Sequence, residues 1–258
     1  MDAYTSFARV YDTFMDNIPY EPGADYIHQL LIRHNITDGL IAELGCGTGT
    51  LTELLAKLGY DMIGIDNSAE MLEIAQEKRS ISNHDILYLL QDMREFELYG
   101  TVRGIISFCD SINYITEPDE LVTVFQLVNN YLDPGGCFIF DFHTVHYYQN
   151  VLGNSTFAED RDEMSFIWDN YYDSESGINE YLLSIFVEEQ PDLYRKYQEE
   201  HFQRGYTLNE IKELLDKAGL IFVDAYDELS LNAPNEKSTR IHVVAMESGK
   251  AHQISTES

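Results

Sequence analysis

The segment LIAELGCGTGTLTELLAKLGYDMIGIDNS, residues 40–68, decides the fold, because two apolar runs flank a glycine-rich turn and a helical repeat. The first run, Leu40–Leu44, predicts a short strand, and Gly45, Gly47 and Gly49 follow it at alternate positions. Glycine lets the backbone turn tightly and approach a ligand with no Cβ in the way. The segment therefore predicts a ligand-binding turn where the first strand ends.

The second apolar run ends in an acid. A helix is predicted over Thr50–Leu58, since its four leucines share one face, and the strand that follows ends at Asp66. Asp66 lies 21 residues after Gly45, and a carboxylate there can accept hydrogen bonds from ribose hydroxyls. The free N–H groups at the start of the helix favour an anionic group nearby. The turn and the acid together predict a nucleoside-containing ligand.

Two common nucleotide-binding motifs do not fit this turn. The dinucleotide fingerprint needs G-x-G-x-x-G/A, but the fifth position is Gly49 and the sixth is Thr50. A phosphate-binding P-loop needs a lysine after its last glycine, and none follows Gly49. The turn therefore belongs to neither motif.

Strands and helices continue to alternate up to Phe142. Further strands are predicted at 85–92, 104–110 and 137–142, and further helices at 69–79 and 119–132. This alternation implies right-handed crossovers and a parallel sheet that is covered by helices on both faces. After Phe142 the chain is rich in aromatic residues, and the segments 165–173, 180–189 and 193–206 read as strands. They predict an inserted antiparallel subdomain.

The two ends of the chain carry the remaining elements. Thr207 and Glu210 make a capping box at the start of a helix that Gly219 ends. Two final strands are predicted at 221–228 and 240–247. At the other end, residues 1–35 read as helical segments with a break at Asn17–Gly23.

Charge and composition exclude several classes of partner. Among 258 residues, 45 are Asp or Glu and 16 are Lys or Arg, which gives a net charge of −29. A field of that sign repels the phosphates of nucleic acids and anionic membrane surfaces. No apolar run approaches the roughly 18–20 residues that span a bilayer, the N-terminus has no signal-peptide pattern, and the three cysteines are scattered. These features predict a cytoplasmic protein that binds neither nucleic acid nor membrane.

Four motifs together resemble the class I S-adenosylmethionine-dependent methyltransferases. They are ELGCGTG at 43–49, QDM at 91–93, SFCDSINY at 107–114 and LDPGGCFIFDF at 132–142. Their order and spacing are specific for the cofactor but not for the substrate.

The resemblance implies an α/β fold, namely a Rossmann-like, seven-stranded, mostly parallel sheet with helices on both faces, plus an inserted antiparallel β cap. The implied units are an N-terminal helical segment at 1–36, a methyltransferase core at 37–143 and 206–247, the cap at 144–205 and a disordered tail at 248–258.

The resemblance also implies a binding site for S-adenosylmethionine. In the family, the glycines lie under the methionyl part and the ribose, an acid matching Asp66 holds the ribose hydroxyls, and an acid matching Asp92 meets the adenine amino group. FARVYDTFMDNIPY, residues 7–20, resembles the opening helix of small-molecule N-methylating enzymes, in which a tyrosine closes over the cofactor. The implied cofactor contacts are Tyr11, Tyr20, Glu43, Gly45, Cys46, Gly47, Gly49, Asp66, Asn67, Met71, Gln91, Asp92, Met93 and Cys109, the last through its backbone.

Methyl transfer from a sulfonium is an in-line displacement, so such an enzyme mainly supplies proximity and alignment. An amine acceptor must first be neutral, and a general base, if one is used, would come from Tyr11, Asp110, Tyr114 or His143. The run DFHTVH, residues 141–146, contains metal-ligand residue types. A strand end followed by a loop does not fix that spacing on one face, so no metal is predicted.

The insertion indicates the class of acceptor. Residues 144–206 carry 13 acidic and four basic residues, a net charge of −9. Their aromatic residues form either the core of the insertion or a cover over a small, neutral or cationic, amine-like acceptor. Three alternatives stay open: an NAD(P)-dependent oxidoreductase on a similar sheet, a non-catalytic cofactor-binding regulator, and methylation of a protein side chain or of RNA, which the acidity opposes.

Overall fold

The computed structural model describes residues 18–161 and 164–250. Tyr11 and the rest of the predicted opening segment before residue 18 lie outside this part of the chain, as does the tail after residue 250. Within the described part, the chain forms five α-helices and two β-sheets. None of these helices is long and apolar enough to cross a membrane.

The elements follow one another along the chain as strands and helices that alternate, then as four consecutive strands, then as a helix and two strands. The helices are α1 Tyr20–Arg33, α2 Thr50–Lys57, α3 Ala69–Ser82, α4 Pro118–Tyr131 and α5 Leu208–Lys217. The strands are β1 Leu40–Leu44, β2 Asp61–Asp66, β3 Ile86–Leu90, β4 Val102–Ser107, β5 Leu132–His143, β6 Thr156–Arg161, β7 Met164–Asp173, β8 Ile178–Gln190, β9 Leu193–Arg204, β10 Leu220–Asp227 and β11 Arg240–Glu247. Ser111–Tyr114 is a 3₁₀ turn and Tyr147–Leu152 is a short π-helix.

The larger sheet has seven strands in the order β10-β11-β5-β4-β1-β2-β3. Strand β1 pairs in parallel with β2 and β4, β2 pairs in parallel with β3, and β4 with β5. Strand β11 runs antiparallel to both β5 and β10. The prediction of a mostly parallel seven-stranded sheet with a separate antiparallel sheet is therefore confirmed.

The strand order reverses next to β1, because β2 and β3 lie on one side of it and β4 and β5 on the other. Such a switch point leaves a crevice beyond the carboxyl ends of the strands. The antiparallel β11 begins at this same edge, and its first residue, Arg240, is paired with His143 at the end of β5. Residues from β1, β4, β5 and β11 therefore meet beside the crevice.

Apolar side chains fill both faces of this sheet. One core packs α4 and α5 on the sheet, and fully buried Phe138, Phe140 and Phe142 alternate along β5 to supply its floor. The other core packs α1, α2 and α3 on the opposite face. The capping box that the sequence predicts is present, because the Thr207 hydroxyl accepts from the Glu210 N–H and the Glu210 carboxylate accepts from the Thr207 N–H.

The second sheet, β6-β7-β8-β9, is entirely antiparallel and forms a cap. Buried Asn113 joins it to the larger sheet. The Asn113 side-chain amide donates to the carbonyl oxygens of Arg204 and His143, at 2.7 and 3.0 Å, and its Oδ1 accepts from the His143 N–H. One residue of the loop after β4 therefore fixes the end of β9 against the end of β5.

Two local predictions are wrong. The predicted break at Asn17–Gly23 conflicts with α1, which begins at Tyr20; Pro22 lies in the first turn, where a helix needs no N–H donor at that position. The cap has a fourth strand, β6, which the sequence analysis does not predict. Its residues TFAEDR show no apolar alternation, because β6 is an edge strand with mostly exposed side chains.

Candidate active site

A cavity of about 730 Å³ lies beyond the carboxyl ends of β1, β2 and β4, with the cap on its far side. It brings together every described candidate residue except Gly49. The lining includes Tyr20, Glu43, Gly45, Cys46, Gly47, Asp66, Asn67, Met71, Gln91, Asp92, Met93, Cys109, Asp110, Tyr114 and His143.

The glycine turn has a left-handed backbone at all three positions, with φ of 70° at Gly45, 54° at Gly47 and 73° at Gly49. A Cβ on Gly45 would lie 2.6 Å from the Ser111 hydroxyl, and one on Gly49 would overlap the Tyr88 hydroxyl. A Cβ on Gly47 would meet nothing within 4 Å. Two glycines are therefore required by packing, whereas Gly47 leaves open space at the cavity wall.

Asp66 ties the turn to the end of β2. Its carboxylate accepts from the Gly47 N–H at 2.8 Å and from the Ser68 N–H at 2.9 Å. Burial raises the pKa of Asp66 above its usual value, and the hydrogen bonds from these backbone groups counteract part of that rise. Each carboxylate oxygen keeps a further lone pair, so Asp66 can accept hydrogen bonds from a ligand in the cavity that it lines.

Glu43, just before the glycine turn, is a second buried carboxyl group. It accepts a 2.5 Å hydrogen bond from the Thr52 hydroxyl. Burial raises the pKa of Glu43 to about 8, and the neighbouring Asp66 adds to the rise. Within residues 18–161 and 164–250, no Lys or Arg forms a salt bridge with either acid. Both carboxyl groups therefore lack a positive partner among the described residues, and a cationic ligand bound there would favour their ionised forms.

The QDM segment lies at the edge of the same cavity. Both carboxylate oxygens of Asp92 accept from the Arg94 guanidinium, and this hydrogen bonding lowers the pKa of Asp92. The Gln91 side chain is bonded to the backbone of Glu97, which shapes the loop after β3. Asp92 therefore lines the cavity as an ionised acceptor, already held in place by Arg94.

The other part of the cavity is built around the buried guanidinium of Arg240. Its Nη2 donates to Asp110 at 2.7 Å and to the His143 Nε2 at 2.8 Å, and its Nη1 donates to Asp141. Asp110 also accepts from the Gln203 amide at 2.8 Å. Burial raises the pKa of Asp110, but the charge of Arg240, the neighbouring His143 and the hydrogen bonds from Arg240 and Gln203 together lower it below the usual value. Asp110 is therefore an ionised carboxylate that accepts a hydrogen bond at each oxygen.

His143 is held as a neutral ring. Its Nδ1 lies 3.1 Å from the Thr239 carbonyl oxygen, which can only accept, so Nδ1 carries the proton and Nε2 accepts from Arg240. Burial and the charge of Arg240 lower the pKa of His143 to about 4. The ring also stacks on Tyr147, with centroids 3.7 Å apart. The lone pair that a general base needs is therefore already used by Arg240.

Tyr114 has a different environment. Its hydroxyl lies 2.9 Å from the Tyr181 hydroxyl and 3.1 Å from the His201 Nδ1. The other ring nitrogen of His201 lies 3.1 Å from the Glu199 carboxylate. Of the three candidate bases that the structure describes, Tyr114 is thus the one connected to an imidazole with a carboxylate behind it.

Sequence reasoning missed several polar residues of the cavity, including three on β9 and Arg240 on β11. Glu199, His201 and Gln203 alternate along β9 and so share the face that meets the cavity. That alternation is visible in the sequence as E-x-H-x-Q. Arg240 begins the last strand, but its place beside the carboxyl end of β5 depends on the pairing of β11 with β5, which the sequence does not reveal.

Comparisons with known proteins place the chain among methyltransferases. A methyltransferase domain model matches residues 41–136. A putative methyltransferase of Bacillus subtilis, YqeM, is 33% identical over 246 residues, which cover 95% of this chain and 97% of that protein. A crystal structure of an S-adenosylmethionine-dependent methyltransferase from Clostridium acetobutylicum matches with a TM-score of 0.87 and 29% identity, covering 96% of this chain and 100% of the other. The dTDP-3-amino-3,4,6-trideoxy-alpha-D-glucopyranose N,N-dimethyltransferase of Streptomyces venezuelae is 28% identical over 131 residues, 50% of this chain and 54% of that protein.

Proposed function

Because the chain belongs to the class I S-adenosylmethionine-dependent methyltransferase family, we propose that it transfers a methyl group from S-adenosylmethionine to a small amine. One observation carries the proposal. A single cavity joins the glycine turn and Asp66 at one end to an acidic, aromatic chamber under the cap at the other. Both a nucleoside cofactor and a separate acceptor therefore have residues suited to them in the same space.

The residues at the first end fit the cofactor. Gly47 leaves the room that a closely approaching ligand needs. The backbone of the glycine turn would hold the methionyl part, Asp66 would accept from the ribose hydroxyls and Asp92 from the adenine amino group. When bound, S-adenosylmethionine supplies an electrophilic methyl group on a cationic sulfur. Glu43 and Asp66 have raised pKa values and lack a salt-bridge partner among the described residues, so a cation bound beside them would favour their ionised forms.

The residues at the second end favour a cationic or neutral acceptor over an anionic one. Trp168, Tyr181 and Phe166 of the cap line the chamber together with the acids Glu159 and Glu199. No lysine lines the described cavity, and of its two arginines Arg94 is paired with two acids and Arg240 with three. Aromatic faces and carboxylates attract an ammonium group, whereas a phosphate or carboxylate would meet no uncompensated positive charge.

The cap would also hold the acceptor close to the cofactor. Aromatic rings from β7 and β8 lie opposite the ends of β1 and β4, so an acceptor bound between them is held near the glycine turn and shielded from water. In-line displacement depends mainly on such alignment. The Streptomyces venezuelae relative, by its name, methylates an amino group on a sugar nucleotide, which is compatible with an amine acceptor for this chain.

The proposal is tested by incubating the purified protein with S-adenosylmethionine and a panel of small primary and secondary amines. Matched alcohols, carboxylates and phosphates of the same carbon skeletons serve as controls. We expect release of S-adenosylhomocysteine and products heavier by one methyl group from amines alone. Methylation confined to the anionic compounds would contradict the acceptor class, and stabilisation by NADH but not by S-adenosylmethionine in a thermal-shift assay would contradict the cofactor.

A further inference from the structure

We infer that three cavity residues, Tyr181, Tyr114 and His201, relay a proton away from the acceptor amine; this inference rests on the proposed function. The three side chains come from β8, from the 3₁₀ turn after β4, and from β9. All three line the cavity. The relay is therefore assembled only when the cap is folded against the larger sheet.

The geometry is a continuous chain of hydrogen bonds. The two phenol oxygens are 2.9 Å apart, and the Tyr114 oxygen is 3.1 Å from the His201 Nδ1. The His201 ring stacks on Tyr181 with centroids 4.6 Å apart and an interplanar angle of 15°. Its Nε2 lies 3.1 Å from the Glu199 carboxylate, and the side chains of His201 and Glu199 are only 21% and 12% exposed.

The direction of each hydrogen bond follows from the donors available. An ionised carboxylate only accepts, so the His201 Nε2 carries a hydrogen and Nδ1 has a lone pair. The Tyr114 hydroxyl must then donate to Nδ1. Because that uses its single hydrogen, the bond between the two phenols is donated by Tyr181. With neutral His201, every donor points from Tyr181 towards the imidazole.

This arrangement can accept one proton at the Tyr181 oxygen. The ammonium form of the acceptor gives a proton to the Tyr181 oxygen, the Tyr181 hydrogen moves to Tyr114, and the Tyr114 hydrogen moves to the His201 Nδ1. One N–H bond of the acceptor breaks and one N–H bond of the imidazole forms, while each phenol keeps one hydrogen. The products are a neutral amine, whose lone pair is free to attack, and an imidazolium beside Glu199.

The other candidate bases are less suited to this task. Arg240 occupies the Nε2 lone pair of His143 and one oxygen of Asp110, and Gln203 donates to the other oxygen of Asp110. Burial raises the pKa of Tyr114 well above its usual value, so Tyr114 passes a proton as a neutral hydroxyl and does not ionise. Among residues 18–161 and 164–250, the titratable groups in contact with His201 are Glu199 on its own strand, Tyr114 on the turn and Tyr181 on β8.

The first test is nitrogen NMR of the imidazole in the full-length protein, which requires no acceptor. We expect His201 to be protonated at Nε2 and hydrogen-bonded at Nδ1. Tyr114→Phe should shift the Nδ1 resonance, whereas Tyr171→Phe, on the solvent side of β7, should leave it unchanged. A proton on Nδ1 in the neutral ring, or no response to Tyr114→Phe, would overturn the relay.

The second test is the pH dependence of S-adenosylhomocysteine release with the amine that the panel shows to be methylated fastest. His201→Gln and Tyr114→Phe should lower kcat on the order of 100-fold near neutral pH. The loss should shrink as the pH rises, because the amine then loses its proton to solvent, and the KM for S-adenosylmethionine should not change. A loss that is equal at every pH would indicate a purely structural role and overturn the inference.

Calorimetric binding of S-adenosylmethionine separates failure of the relay from failure of the proposed function. If the protein does not bind this cofactor, the proposed function fails whatever the state of His201. If it binds the cofactor but methylates no amine of the panel, the amine acceptor and the relay both fail while the cofactor assignment stands.

Discussion

The two ends of the cavity hold similar carboxyl groups in opposite electrostatic states. At the glycine turn, Glu43 and Asp66 have hydroxyl and backbone donors but no salt bridge within the described residues, and their pKa values are raised. Under the cap, the Asp110 side chain is 20% exposed, and its pKa is lowered because Arg240 lies against it. The Arg240 guanidinium therefore favours the ionised form of Asp110, whereas burial without such a partner favours the neutral forms of Glu43 and Asp66.

Removing the Arg240 guanidinium should have the largest effect on the difference between the two ends of the cavity. Arg240→Met leaves Asp110 and Asp141 buried without a counter-charge, so we expect the free energy of unfolding to fall by about 3–5 kcal/mol. Urea denaturation followed by circular dichroism measures it. As a control, Arg195→Met removes an exposed pair with Glu189 and should change stability by no more than about 1 kcal/mol. Equal effects of the two substitutions would contradict the central role of Arg240.

At the cofactor end, the expected effect depends on pH. Because the pKa of Glu43 is about 8 in the folded protein and near 4.3 in an unfolded chain, folding takes up a proton between these values. As the pH rises from about 4.5 to 8, the free energy of unfolding of the wild type should therefore fall relative to that of Glu43→Gln, by up to about 1.4 kcal/mol per pH unit. Above pH 8 the difference should stay constant.

The control for this experiment is Glu73→Gln, on the exposed side of α3. The difference in the free energy of unfolding between Glu73→Gln and the wild type should not grow with pH in the same range. A constant difference between wild type and Glu43→Gln from pH 5 to 9 would show that Glu43 is already ionised in the folded protein. The contrast between the two ends of the cavity would then be lost.

A smaller effect is expected on ligand affinity. Asp66→Ala removes the acceptor proposed for the ribose hydroxyls, which should weaken S-adenosylmethionine binding by roughly 1–3 kcal/mol. Asp61→Ala, at the exposed opposite end of the same strand, should leave affinity unchanged. Isothermal titration calorimetry of both variants checks this, and matching affinities would remove Asp66 from the cofactor site.

The same two ends differ in how far the sequence predicts them. The cofactor end is local: Gly47 contacts Asp66 across 19 residues, within one strand-turn-helix-strand unit. Spacing alone therefore placed the glycines and the acid at one edge of the sheet. The sequence predicted a parallel sheet covered by helices for a similar reason, since alternating strands and helices permit few arrangements.

The acceptor end depends on residues that are far apart in the chain. Arg240 reaches Asp110 across 130 residues, and His201 reaches Tyr114 across 87. Their meeting is set by the pairing of β11 with β5 and by the docking of β9 through Asn113. A single sequence contains no register information for such contacts. The sequence therefore predicts His143 as a candidate base, although Arg240 occupies its Nε2 lone pair in the structure.

A crystal structure of the protein with S-adenosylhomocysteine bound tests the central claim most directly. The account predicts the ribose hydroxyls within hydrogen-bond distance of the Asp66 carboxylate and the sugar beside Gly47, with the sulfur facing the chamber under the cap. Density for the nucleoside at any other position, or an Asp66 carboxylate with no contact to the ribose, would contradict it.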